Sequence, residues 1–409
     1  MTEPTETFRI ERLGHLGDGI APGPIFAPRC LPGEEISGEV VDGRIAAPRI
    51  VVPSPDRVKA PCPHYNTCGG CALLHASDDF VALWKADVVR TALAAHGLTP
   101  ELRPMRTSPP RSRRRAVLSA KRGKKGPLIG FHGRKSDTIS TIESCLLLHP
   151  EILSALKSLA ELANFGVSRK GELSINVVQS AAGLDVSVSG GKPLDRVLET
   201  DLAQALHTFG FARLTWNGEI IATETPPAQM FGTAAVVPPA GAFLQATREG
   251  EAALLDAVRE IVGDAKSVVD LFAGCGTFAL PLAMTSEVHA VEGHAGMTDA
   301  LSRSWRKTQG LRHVTTEVRD LFRNPIMSDD LTSYDAAVID PPRAGAEAQI
   351  EQLAASTIPR IAMVSCNSVS FARDAKTLID AGYTLNWVQI VDQFRWSTHI
   401  EQVASFTRS

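Results

Sequence analysis

From about residue 250 to the C-terminus, short apolar runs rich in β-branched residues alternate with helix-length segments. SVVDLFAG, VHAVEG, HVTTEVRD, YDAAVIDPP and RIAMVSC are the runs, and TLNWVQIVD and HIEQVASFT follow as two late strands. Five βα units closed by a hairpin predict an α/β, doubly wound, mostly parallel sheet, and such sheets bind ligands at the carboxyl ends of their strands. With 409 residues, 44% of them hydrophobic, the chain is long enough for two or three domains. No run of 18 apolar residues occurs and the first residues lack a signal-peptide pattern, so a cytoplasmic protein with no membrane association is expected.

The first of these units, SVVDLFAGCGTFALPLA at 267–283, reads as a strand, a Gly-rich turn and a helix, with Glu292 ending the next strand. Glycines there let the backbone approach a ligand, and an acid at that distance can hold ribose hydroxyls. Alone, the pattern also fits a dinucleotide. The acid within the strand (Asp270), the DPPR at 340–343 and the lack of a hydride-transfer partner favour S-adenosylmethionine. Asp320, closing the third strand, is expected near the adenine.

RIAMVSCNS opens with a buried strand that ends at Cys366, on the edge where the cofactor is expected. Carbon 5 of a pyrimidine is a poor nucleophile, but thiolate addition to carbon 6 converts the ring to an enolate able to attack a sulfonium methyl. Such an adduct is released only when a base removes the carbon-5 proton. Glu401, in the last strand and near the same edge, is the candidate base.

Upstream, residues 7–52 alternate short β-like runs with Gly/Pro punctuation, as a small antiparallel barrel would. SDDFVALWKADVVRTALAAHG predicts a helix capped by Ser77 and ended by Gly97. From Arg103 to Lys135 the chain has twelve Lys or Arg and no Asp or Glu, although its net charge is only -3. RRAVLSAKR, a GKKG turn and PLIGFHGRK make this region a basic hairpin, expected to track nucleic-acid phosphates. Residues 151–231 mix helices and strands as an α+β insert.

Together, CPHYNTCGGC, the later Cys in IESCLLLHP, FLQ at 243–245, DLFAGCG, DPPRAG, SCN and HIEQV resemble the bacterial RNA uracil-C5 methyltransferases, which make 5-methyluridine. The resemblance implies four parts: a TRAM-like β-barrel (1–56), a cysteine cluster and connecting helix (57–92), a central α+β RNA-binding domain (93–240) and a class I S-adenosylmethionine methyltransferase domain (241–409). It makes Cys366 the nucleophile and Glu401 the base. It places Asp340 by the target base and cofactor, and Gln245, Phe272, Thr277, Glu292 and Asp320 at the cofactor. Thr277 stands where the family commonly has Asn, and Ser368 where SCN is usually followed by Pro.

Cys62, Cys68 and Cys71 need a fourth ligand, and Cys145 is the candidate; by spacing alone a four-thiolate zinc site and an iron-sulfur cluster are both open. In a subset of the family such cysteines hold a [4Fe-4S] cluster, and members acting on the tRNA T-loop typically lack them, so the resemblance favours a 23S rRNA substrate; a monomer is expected. The competing readings are a tRNA 5-methyluridine enzyme, an RNA 5-methylcytidine enzyme and a non-catalytic metal-cluster RNA-binding protein.

Overall fold

The structure is a computed structural model describing residues 6–168 and 171–408. Its largest element is an eight-stranded sheet. In spatial order the strands are Val314–Val318, Glu287–Glu292, Ser267–Leu271, Ala336–Ile339, Arg360–Ser365, Glu401–Thr407, Thr384–Asp392 and Glu101–Thr107. Every neighbouring pair is parallel except the two that involve Glu401–Thr407. The two strands after Ser267–Leu271 are laid down on one side of it, and Ala336–Ile339 returns on the other. A crevice at such a reversal is where doubly wound sheets bind cofactors.

The antiparallel strand has a direct consequence for the chemistry. Because Glu401–Thr407 runs against its neighbours, its first residue lies at the edge where they end: Gln402 pairs with Ser365, and Glu401 with Val391. Cys366, one residue beyond Ser365, therefore emerges beside Glu401.

Helices cover both faces of the sheet. Asp78–Ala94 is capped by Ser77, whose hydroxyl accepts from Phe80 N at 3.2 Å, and it buries Val89 and Leu93 with Phe371 and Leu378. On the opposite face Arg248–Val262 packs Leu254, Val258 and Ile261 against the sheet.

One strand departs from the expected grouping. Glu101–Thr107 was expected within the central α+β domain (93–240) but pairs in parallel with Thr384–Asp392 as the outer strand of the methyltransferase sheet. Arg103 lies 3.6 Å over the Trp387 ring and pairs with Glu260, while Arg106 pairs with Asp256, so side chains of the sheet and its covering helix fix the strand there.

The central part is a seven-stranded mixed sheet with the basic hairpin Arg115–Gly123 and Gly126–His132 near one end. Helices Leu156–Gly166 and Arg196–Phe209 close its core around the fully buried Trp216. The N-terminal strands form two three-stranded antiparallel sheets around Ile10, Ala27, Ile36 and Ile45. Among the described residues no helix is long and apolar enough to cross a membrane.

Candidate active site

Cys366 follows the strand Arg360–Ser365 and is half-buried, while Glu401 is only 3% exposed. Burial pushes the Cys366 thiol up to about 11, aided by the charges of Glu401 and Asp340 and opposed by Arg343. Burial also holds the Asp340 and Glu401 carboxyls well above the usual carboxylate range, and the charge of Asp340 adds to the rise at Glu401. Three acidic groups thus share one desolvated pocket, which disfavours the charged form of each.

The two carboxyls are joined by a pair of buried amides. Ala246 N, which can only donate, reaches Gln393 Oε1 at 2.7 Å. That leaves Gln393 Nε2 to donate to Gln245 Oε1 at 2.6 Å and to Glu401 Oε2 at 3.0 Å. Gln245 Nε2 then donates to Asp340 Oδ2 at 3.3 Å. One backbone N–H thereby fixes the orientation of both amides, and each carboxyl receives an N–H. Gln393 was missed in the sequence: it follows the strand Thr384–Asp392 directly, and that strand-end position was the only signal for it.

Arg115, at the base of the basic hairpin, also reaches this pocket. Its guanidinium lies 4.5 Å over the Phe243 ring, and burial beside Arg113 and Arg114 pulls its pKa down to about 10 against the opposing charge of Glu401. Phe243 itself is 53% exposed, an aromatic face open to solvent beside the carboxyl pair.

The residues expected at the cofactor gather at the sheet reversal. Glu292 accepts from Gly274 N at 3.0 Å and His294 N at 2.8 Å, which turns its carboxylate into the crevice mouth. Gly274 has φ +56 and a side chain there would meet nothing within 4 Å, so this turn leaves space for a ligand. Phe272 adopts φ 63, rare for a non-glycine residue, and its ring packs 5.3 Å from Phe322. Asp320 caps Phe322 N at 3.0 Å, and Thr277 is partly exposed in the same turn. Asp270 is fully buried with neither carboxyl oxygen hydrogen-bonded, its pKa raised by burial and by Asp340. An open glycine turn, a flanking aromatic pair and strand-end acids suit a ligand with ribose hydroxyls and a cationic sulfur.

Cys62, Cys68, Cys71 and Cys145 line one cavity of about 450 Å³, although Cys145 is far from the others in sequence. None is in a disulfide. Cys68 Sγ accepts from Gly70 N and Cys145 Sγ from Leu147 N, both at 3.4 Å, as ligating sulfurs commonly do. Among the described residues no three His, Cys, Asp or Glu are grouped as a metal-ion site; the four thiols line the cavity wall instead. His64 faces the same cavity, whereas His75 is buried with its Nδ1 2.6 Å from Tyr65 OH.

The basic run is less uniform than its composition implies. Arg103, Arg106, Arg114, Arg134 and Lys135 are paired with Glu260, Asp256, Glu251 and Asp18. Arg111, Lys121, Arg122, Lys124 and Lys125 have no acidic partner among the described residues, and four of them are on the hairpin.

A sheet of this topology, with a glycine-turn crevice at its reversal, defines a class I S-adenosylmethionine methyltransferase fold. Over 98% of this chain and 99% of the other, it matches the crystal structure of the Pyrococcus abyssi tRNA (uracil-54, C5)-methyltransferase bound to S-adenosyl-L-homocysteine, with TM-score 0.76 and 22% identity. The family model described as tRNA (Uracil-5-)-methyltransferase matches residues 304–408. An uncharacterized RNA methyltransferase of Rhizobium meliloti is 43% identical over 99% of this chain and all of its own length. A 23S rRNA (uracil(1939)-C(5))-methyltransferase of Nitrosococcus oceani is 29% identical over 100% of this chain and 97% of its own. The chain belongs to the RNA uracil-C5 methyltransferase family and is an RNA (uracil-C5) methyltransferase that uses S-adenosylmethionine.

Proposed function

We propose that Cys366 and Glu401 carry out the reaction on a uridine of 23S rRNA. The observation that carries this reading is the antiparallel strand that puts Glu401 at the sheet edge where Cys366 emerges. The Cys366 thiolate adds to carbon 6 of the base, and carbon 5 takes the methyl group. Glu401 then removes the carbon-5 proton, the electron pair re-forms the ring double bond, and the Cys366–C6 bond breaks. S-adenosylmethionine, when bound, would supply the methyl group. Gln245, Phe272, Thr277, Glu292, Asp320 and Asp340 hold it, and Phe243 with Arg115 offers the target base a stacking face.

In this reading residues 1–56 are a TRAM-like module, 57–92 the cysteine segment, 93–240 the RNA-binding part, with its first strand lent to the sheet, and 241–409 the catalytic domain. The protein acts as a cytoplasmic monomer. The four cysteines hold a [4Fe-4S] cluster that ties the cysteine segment to the central part; their convergence on one cavity and the N–H bonds to two sulfurs support this. Full-length sequence likeness to the Nitrosococcus oceani enzyme supports the ribosomal substrate. A transfer RNA substrate is the second reading, favoured by the description of the matching family model and by the Pyrococcus abyssi structure.

The test is incubation of anaerobically purified protein with methyl-labelled S-adenosylmethionine and undermodified total RNA. Label in 5-methyluridine of 23S rRNA is expected. Label in transfer RNA would select the second reading, and label in 5-methylcytidine would overturn the base assignment.

Two further outcomes follow from the site. An ordinary glutamate, with a pKa of about 4.3, would leave the rate of adduct release flat above about pH 6. The raised Asp340–Glu401 pair must instead lose a proton before Glu401 can act as the base. The single-turnover rate of adduct release is therefore expected to climb through the neutral range, and a release rate flat from pH 6 to 9 would contradict the raised pair.

RNA affinity should fall with salt through the unpaired basic residues. The double variant Lys124→Ala/Lys125→Ala is expected to flatten the slope of log affinity against log salt by roughly 0.7 to 0.9 for each phosphate that is no longer neutralised. An unchanged slope would take the hairpin tip off the RNA path.

A further inference from the structure

Lys85 is 0% exposed, and long charged side chains are almost never fully buried unless paired. All three of its N–H donors are used. Nζ donates to Asp392 Oδ1 at 2.7 Å, to the Phe394 carbonyl at 3.2 Å and to the His399 carbonyl at 2.9 Å. These acceptors mark the start and the end of the loop between the strands Thr384–Asp392 and Glu401–Thr407. Asp392 Oδ1 also accepts from Phe394 N at 3.1 Å, closing the loop's first turn. Gln393, the amide of the buried relay, opens the same loop, and Glu401, its carboxyl, directly follows it.

The segment that supplies Lys85 grips the loop elsewhere too. Asp78, at the start of the same helix, accepts from Trp396 Nε1 at 2.9 Å and pairs with Arg395. Trp396 O accepts from Ala72 N and Leu73 N, each at 2.9 Å. A buried ion pair is by itself weak evidence of a stabilising role, since replacing one with well-packed neutral groups of similar volume is often neutral for folding. What an apolar side chain cannot supply is three donors that fix both ends of one loop at once.

We propose that Lys85 is a positioning residue for Glu401, drawing the two ends of the 393–400 loop together so that the carboxyl is held against carbon 5 of the methylated adduct. This rests on the reading of Glu401 as the base. Loss of Lys85 then slows release of the adduct, while addition of Cys366 and methyl transfer, which do not need that carboxyl in place, continue.

The test is single-turnover methylation of RNA by Lys85→Met and by the double variant Lys85→Met/Asp392→Asn. The second leaves no unpaired buried charge and keeps an acceptor for Phe394 N, so it guards against simple misfolding. Methyl transfer to carbon 5 and loss of the covalent protein–RNA species are followed separately, with Glu401→Gln as reference. Release is expected to slow at least tenfold in both variants, with transfer within threefold of wild type, so that methylated adduct accumulates. If Glu401→Gln traps adduct but the Lys85 variants release it at the wild-type rate, or lose transfer and release in equal measure, the positioning role is wrong. If Glu401→Gln itself turns over normally, the failure is in the assignment of the base.

Discussion

Replacing Cys366 with Ala is expected to lower methyl transfer by at least about 10⁴-fold, the scale on which loss of a nucleophile acts. The uncatalysed alternative, direct attack by carbon 5 of an unactivated uracil, has no compensating group in the pocket. Cofactor affinity should stay within about threefold, because the residues assigned to the cofactor sit at the turn after Ser267–Leu271 and on neighbouring strand ends. The fold should also tolerate the change: Cys366 is half-buried at a strand end and outside the hydrophobic core, so the substitution opens no internal cavity. Single-turnover transfer, with S-adenosyl-L-homocysteine binding measured in parallel, checks both parts. Residual turnover within tenfold of wild type would remove Cys366 from the chemistry.

Glu401→Gln is expected to separate the two halves of the reaction. The amide keeps the shape of the side chain but cannot take the carbon-5 proton, so multiple turnover should fall by about 10²- to 10⁴-fold, the usual worth of a positioned base. Adduct formation should survive. The Glu401 charge is among the groups that push the Cys366 thiol up, and neutralising it moves the thiol back down, in the direction that favours the thiolate. The methylated covalent species should therefore accumulate and be visible by intact mass. A variant that turns over freely without trapped adduct would show that another group removes the proton.

The catalytic half was legible because its signals are local. Strand-length apolar runs end at Asp340 and Cys366, and Glu401 opens the last one, so strand ends marked the sheet edge before any contact was known. The relay was not legible. Gln393 gains its role from Gln245, 148 positions away, and Lys85 from Asp392, 307 positions away; neither relation leaves a periodic trace. The strand Glu101–Thr107 was hidden for a related reason. ELRPMRT carries two arginines and a proline and has no fully buried residue, so it resembles a loop until the Thr384–Asp392 strand offers it an edge to pair with. Composition also overstated the basic surface, since a count of charges cannot see that Asp18 faces Arg134 and Lys135, or that Glu251 faces Arg114. The convergence of Cys145 with the earlier cysteines was anticipated by counting thiols. That the same cavity touches Ser397, Thr398 and His399, next to Glu401, was not.

The most direct measurement is peptide mapping of the species formed when the protein meets S-adenosylmethionine and RNA containing 5-fluorouridine. Fluorine on carbon 5 cannot leave as a proton does, so the reaction should stop after methyl transfer with protein and RNA still bonded. The account predicts one covalent link per chain, on the peptide containing Cys366, with a methyl group on the attached base. A stable link at another cysteine, or RNA bound tightly with no covalent species, would contradict it.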